Sequence, residues 1–176
     1  DPEFIRLDPW EADYLFTVAQ RAHTGIVETG RFRGGSSFLM ACANQQAPIW
    51  SIDIKPQNDE KLLAILEAEN VGQNVNLIVG DSQHTRYDQI AAFDLLFVDG
   101  DHSYDGCMAD LKNWYPLLAD GGHVVIHDCY PGQPSMDATI DFFADVACQA
   151  VVPALRGAGH WWHHAGSFGH YIKTQD

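Results

Sequence analysis

Five short apolar runs recur along this chain, each closing on an acid and each separated from the next by helical or turn-forming sequence. They are Ile26-Val27-Glu28, Ile49-Trp50-Ser51-Ile52-Asp53-Ile54, Val75-Asn76-Leu77-Ile78-Val79 with Gly80-Asp81 behind it, Phe93 to Asp99, and His123 to Asp128. Short runs of this kind, bounded by glycine or proline, read as strands buried on both faces. Strands alternating with helices make an α/β fold: a parallel sheet with helices on both faces. Right-handed crossovers bring every strand C-terminus to one edge, and open α/β sheets bind their ligands there. Glu28, Asp53, Asp81, Asp99 and Asp128 each end a different expected strand. One such acid is ordinarily a turn or cap residue. Five in succession mark a ligand site.

The intervening segments carry helical spacing. Residues 11–23 place Leu15, Val18, Ala19 and Ala22 on one face, and Gly25 stops the helix. Further helices are expected at 35–46, from an Asn58 cap through Leu62, Leu63, Ile65 and Leu66 to Gly72, briefly at 84–91, from Tyr104 to Leu118, and at 136–148. Asp120-Gly121-Gly122 reads as a turn, and the tail at 150–172 has room for two more strands around Gly157-Ala158-Gly159. The 176 residues suit one domain. Asp1-Pro2-Glu3-Phe4 reads as a cloning-site remnant, which leaves 5–176 as that domain.

Charge and cysteine usage narrow the partners. Ten Lys and Arg stand against 24 Asp and Glu, a net charge of -14. A surface that acidic repels phosphate backbones, so neither nucleic acid nor an anionic membrane is an expected partner. No apolar run approaches the roughly 20 residues of a membrane helix. The cysteines at 42, 107, 129 and 148 form no CxxC pair, and three fall in expected helices. That pattern suits reduced thiols in a cytoplasmic protein. A homo-oligomer is compatible with all of this.

The segment Val27-Glu28-Thr29-Gly30-Arg31-Phe32-Arg33-Gly34-Gly35-Ser36-Ser37 joins the first strand to its helix. Gly30 and Gly34 remove side chains where a ligand could approach the backbone, and Ser36 and Ser37 can hydrogen-bond nearby. A tight turn would also need glycine. The spacing departs from the G-x-G-x-x-G dinucleotide fingerprint, and a carboxylate at Glu28 opposes a pyrophosphate and suits a cation. Asp53, ending the second strand, can accept from both hydroxyls of a ribose. Asp81, in Gly80-Asp81-Ser82, can accept from an adenine amino group. Either could equally cap a helix.

These residues together resemble class I S-adenosylmethionine-dependent methyltransferases over roughly 24–130. Val27-Glu28-Thr29-Gly30 with Gly34 is similar to the family's first motif, which holds the methionine part of the cofactor. Asp53, with Ile54 beside it, sits where the family binds ribose, and Gly80-Asp81-Ser82 where it holds adenine. Phe97-Val98-Asp99-Gly100-Asp101-His102-Ser103-Tyr104, Pro116 to Gly122 and His127-Asp128 resemble a small-molecule O-methyltransferase subfamily akin to the macrocin and rhamnosyl enzymes, many of them metal-dependent. The resemblance implies a Rossmann-like, doubly wound, mostly parallel sheet of seven strands in the order 3-2-1-4-5-7-6 with the last antiparallel, and helices on both faces. It also implies a small hydroxylated substrate.

The fourth and fifth strands carry the candidate chemistry. If they pair, Asp99 and Asp128 converge, because neighbouring strands lie about 4.8 Å apart. Two carboxylates plus an imidazole suit Mg²⁺ or Mn²⁺, which would lower the pKa of a substrate hydroxyl. Asp99, His127 and Asp128 are the metal candidates. The family places acids, or an acid and an amide, at the last two positions, so His127 is a departure: a ligand, a base or a packed residue. Asp99 could instead meet the cofactor's charged end. Asp101-His102 offers a general base, with Asp99 beside it as the second catalytic candidate, or else a helix-capping pair. Tyr130-Pro131-Gly132-Gln133-Pro134 is a lid candidate. His160-Trp161-Trp162-His163-His164 could wall a flat substrate, bind metal, or do neither in an exposed hairpin. Two rivals share the sheet: a nicotinamide-dependent dehydrogenase, and a protein that binds S-adenosylmethionine without turnover.

Overall fold

The computed structural model describes residues 4–144, 146, 148–153 and 168–174. Seven strands form one sheet in the order β3-β2-β1-β4-β5-β7-β6, as the resemblance implied. They are β1 (Ile26–Thr29), β2 (Ile49–Asp53), β3 (Val75–Val79), β4 (Phe93–Val98), β5 (Leu118–Ile126), β6 (Cys148–Pro153) and β7 (Gly169–Lys173). The first five run parallel, and β7 is antiparallel to both β5 and β6. The helices are α1 (Pro9–Ala19), α2 (Gly35–Ala43), α3 (Asp59–Ala68), α4 (Tyr104–Trp114) and α5 (Pro134–Ala144). None of these described helices is long and apolar enough to cross a membrane.

Successive strand side chains point to opposite faces, and here both faces are covered. Ile26, Ile49, Leu95, Phe97 and Val125 pack with Leu15 and Val18 of α1, Met40 of α2 and Leu62 of α3. Val27, Ile52, Leu96, Val98, Val124 and Ile126 pack with Leu111 and Trp114 of α4 and Ala138 of α5. This two-sided burial explains why the central strands are apolar throughout instead of alternating. Phe4, set aside with the apparent remnant, is buried against this core, its ring 5.8 Å from that of Phe38.

Four expectations need correction. No helix forms at 84–91. That polar stretch has no apolar stripe to bury; turns replace it, held by Asn113 of α4, which donates to the Ser82 and Thr85 carbonyls at 2.7 and 3.0 Å, and by Trp114, which donates to the Ser82 carbonyl at 2.8 Å. Asn58 takes the N-cap position of α3 without a side-chain cap bond. The turn at 120–122 lies inside β5: Phe93 pairs with Leu118 and Leu95 with His123, so the intervening residues bulge from the ladder. α5 ends at Ala144, which leaves Cys148 in β6 and only Cys42 and Cys107 in helices.

Candidate active site

The strand order reverses at β1, flanked by β2 and β4, and a crevice opens beyond the C-terminal ends of such a switch point. Gly30 follows β1 with φ +86, in the left-handed region where only glycine is unstrained. A Cβ there would overlap the carbonyl of Asp99 and Gly100 Cα, so the close approach is of chain to chain.

The turn after Gly30 is held from both sides. Asp53 Oδ2 accepts from the backbone N–H groups of Arg31 at 3.0 Å and Phe32 at 2.7 Å, and its Oδ1 from Lys55 N–H at 2.9 Å. The Arg31 guanidinium is buried and doubly paired to Asp59, with Nε–Oδ1 and Nη2–Oδ2 both 2.9 Å; Nη1 donates to Ser51 O at 2.6 Å. Phe32 is consequently fixed at φ +48 with its ring exposed. Glu28 lies under this turn, one residue inside the strand end. Its carboxylate accepts from the hydroxyls of Ser36, Ser37 and Ser51, the last at 2.5 Å. Burial raises its pKa, against the lowering effect of those three hydroxyls.

A cavity of about 420 Å³ occupies the crevice, lined by Gly30, Phe32, Asp53, Ile54, Asp81, Ser82, Asp99 and Asp101 among others. That volume is within the range of small-molecule sites. The structure thus brings Gly30, Asp53, Ile54, Asp81, Ser82 and Asp99 together around one cavity. Glu28, Thr29, Gly34, Ser36, Ser37 and Gly80 lie outside its lining. Thr29 donates to buried Asp110 at 3.1 Å. A Cβ on Gly34 would meet Leu62, and one on Gly80 the Tyr87 hydroxyl. Asp81 accepts from Gln83 N–H at 2.8 Å and pairs with His84 at 3.0 Å.

β4 and β5 are neighbours in register, Val98 opposite Ile126, and Asp99, His102, His127 and Asp128 converge just past them. Ligand atoms of Asp99, His102 and His127 all lie within 4.8 Å of one another. His102 bridges the acids, Nε2 to Asp99 at 3.2 Å and Nδ1 to Asp128 at 2.9 Å. Those two carboxylates, Asp128 foremost, push its pKa up to about 10. His127 Nδ1 stands 2.9 Å from Asp99 and 3.5 Å from Asp128. It is buried without an aligned hydrogen-bond partner. Burial raises the Asp99 carboxyl, but His127 and His102 outweigh it and the net direction is down. His102 and His127 likewise hold Asp128 low. The turn is strained: Asp128 has φ +52, and Ser135 donates to its carbonyl at 2.7 Å. Asp101 accepts from Ser103 N–H at 2.9 Å, and Ser103 itself is the N-cap of α4, its hydroxyl accepting from Gly106 N–H at 3.1 Å.

Glu11 escaped the sequence reading. It caps α1 from Asp8-Pro9-Trp10-Glu11, a capping box, and its carboxylate reaches His127 Nε2 at 3.3 Å. The box was visible in the sequence; that its acid would reach a site more than a hundred residues away was not. The segment His160–His164 lies outside the described residues.

The methyltransferase domain matches residues 27–129 of this chain, which is more than half of it. The chain belongs to the methyltransferase-domain family. It is 29% identical over 117 residues to the uncharacterized protein R132 of Acanthamoeba polyphaga mimivirus, a match over 58% of this chain and 50% of that protein. The chain thus spans about half the length of this curated relative. Among solved structures it is similar to the O-methyltransferase NovP (TM-score 0.70, 19% identity, 94% of this chain and 80% of that one). It is also similar to an O-methyltransferase of Thermotoga maritima (0.72, 13%, 96% and 66%). A third is TomG of Streptomyces achromogenes, an O-methyltransferase solved with S-adenosylmethionine (0.64, 19%, 93% and 79%). At these identities the likeness establishes a common fold.

Proposed function

We propose that this methyltransferase moves a methyl group from S-adenosylmethionine to a hydroxyl of a small metabolite, assisted by Mg²⁺ or Mn²⁺. The observation that carries the reading is the placement of Asp99. It lines the cavity and also faces His127 and His102 in the acid–imidazole cluster. Asp53 and Gly30 would hold the ribose and the methionine end of the cofactor, and Asp81 with Ser82 the adenine. Exposed Phe32 and Ile54 supply apolar walls.

The cluster suits a divalent ion. A buried imidazole nitrogen without an aligned partner faces two carboxylates, a nitrogen-and-oxygen donor set that Mg²⁺ or Mn²⁺ can use. Asp99, His127 and Asp128 would hold it. When bound, such an ion acidifies a coordinated hydroxyl, and a sulfonium methyl group needs an oxyanion or nearly so as acceptor. The chain itself fixes both acids at the ends of paired strands and closes the back of the site with α1. The charge of -14 opposes a polyanionic acceptor such as RNA. Burial pushes the Cys107 thiol up to about 12, which suits an inert, reduced thiol and a cytoplasmic setting.

Labelled S-adenosylmethionine and a panel of sugars, phenols and polyketide alcohols test this reading. Transfer is expected with Mg²⁺ or Mn²⁺, is lost in EDTA and returns on re-addition, while S-adenosylhomocysteine binding persists in EDTA. Asp128→Asn should lose the metal-dependent rate and remain folded. Full activity in EDTA contradicts the metal, and no transfer to any acceptor favours a binding protein.

A further inference from the structure

Glu11 is an expensive residue where it stands. Its side chain is 0% exposed, on the first turn of α1. Oε2 accepts from Asp8 N–H at 3.1 Å and meets His127 Nε2 at 3.3 Å, and Oε1 is buried without a partner. Burial raises its pKa. A capping box needs only one of these bonds and works at the surface; burying a carboxylate with an orphaned oxygen costs free energy. Capping therefore does not account for this burial. The neighbour that does is His127. Its ring is wedged between Glu11 and the edge-on ring of Phe168, 5.5 Å away, and Phe168 in turn rests on Phe97 at 5.7 Å.

We propose that Glu11 is a positioning residue, which accepts the Nε2–H of His127 and so presents Nδ1 to Asp99 and Asp128. An imidazole has one ring nitrogen to offer as a ligand, and the bond made by the other selects which one. Carboxylates behind ligating histidines do this in metal sites generally, and their loss weakens metal binding by about 10- to 100-fold. The geometry of this claim stands alone; its purpose rests on the divalent-ion reading above.

Two measurements separate the claim from that reading. The first uses metal-free protein with ¹⁵N-labelled histidine. The Nε2–H of His127 is expected to be visible and protected from exchange in the wild type and in Glu11→Gln, and to exchange freely in Glu11→Ala. The second is Mn²⁺ binding by calorimetry, with melting curves to confirm that each variant is folded. Glu11→Ala is expected to bind Mn²⁺ about tenfold or more weakly, Glu11→Gln to recover part of the loss, and Glu11→Ala to cost nothing further in a His127→Ala background. A freely exchanging wild-type Nε2–H overturns the proposal whether or not metal binds. So does a Glu11→Ala variant that keeps wild-type Mn²⁺ affinity, or one whose loss is as large without His127. A wild type that binds no Mn²⁺ overturns the divalent-ion reading, and the ring-proton experiment then decides the Glu11 claim by itself.

Discussion

Asp110 shows how single residues support the site from beneath. It is buried on α4 behind Gly100, with Oδ2 accepting from Thr29 and Oδ1 without a partner. Burial pushes its carboxyl up to about 6. The folded protein therefore binds this proton more tightly than the unfolded chain, whose Asp titrates near 3.9. The stability it contributes is complete below about pH 4 and is lost as pH rises through 6. Asp110→Asn, an uncharged isostere, should gain on the order of 2 kcal/mol at pH 8 and little at pH 4; melting curves at the two pH values check this, and an unchanged melting temperature at pH 8 contradicts it. Asp53 supports the site through direct bonds, its oxygens holding the N–H groups of Arg31, Phe32 and Lys55. Asp53→Ala should weaken S-adenosylhomocysteine binding by about 1–2 kcal/mol, through lost charge-assisted bonds. It should also lower the melting temperature, because the Gly30 turn loses its clasp. Unchanged affinity in calorimetry refutes the ribose assignment.

At the scale of elements, the closest junction is between the ends of β1 and β4. Gly30→Ala places a methyl group into the Asp99 carbonyl and forces a left-handed alanine. About 1–2 kcal/mol of backbone strain adds to displacement of the Asp99 turn, so cofactor and Mn²⁺ binding should fall together; loss of neither would show that the turn can move. The same scale explains what the sequence made legible. The buried strands announce themselves because two-sided burial demands unbroken apolar runs, and their acids because each follows its run directly. The connection at 84–91 does not, because its order comes from Asn113 and Trp114 of a later helix. The start of β5 is hidden by Gly121-Gly122, which reads as a turn and is a bulge within a paired strand. Glu11 is hidden because local pattern accounts for it as a cap, whereas its burial comes from a strand end distant in sequence.

At the scale of the whole molecule, the beginning and end of the chain are joined by a buried relay under α1. Tyr14 meets His170 Nδ1 of β7 at 2.5 Å, and His170 Nε2 meets His123 Nδ1 of β5 at 2.8 Å. Burial, then the charges of His123 and Arg21, pulls the His170 pKa down to about 4. The unfolded chain holds this proton more tightly, with its histidine near 6.5, so the contribution is complete above about pH 6.5 and is lost as pH falls towards 4. Wild type should therefore lose on the order of 2–3 kcal/mol more than His170→Gln between pH 7 and pH 4. Parallel denaturation curves for the two proteins would contradict this. The charge of -14 and the 420 Å³ crevice belong to this scale too: together they favour a small, uncharged or cationic ligand over a polyanion. Among the proposals, the one on which the others depend is that this crevice takes S-adenosylmethionine. Calorimetric titration of the wild type with S-adenosylhomocysteine, and separately with NAD, tests it directly. The account predicts binding of S-adenosylhomocysteine at one site per chain, weakened in Asp53→Ala, and no binding of NAD; heat with NAD alone, or none with S-adenosylhomocysteine, would contradict it.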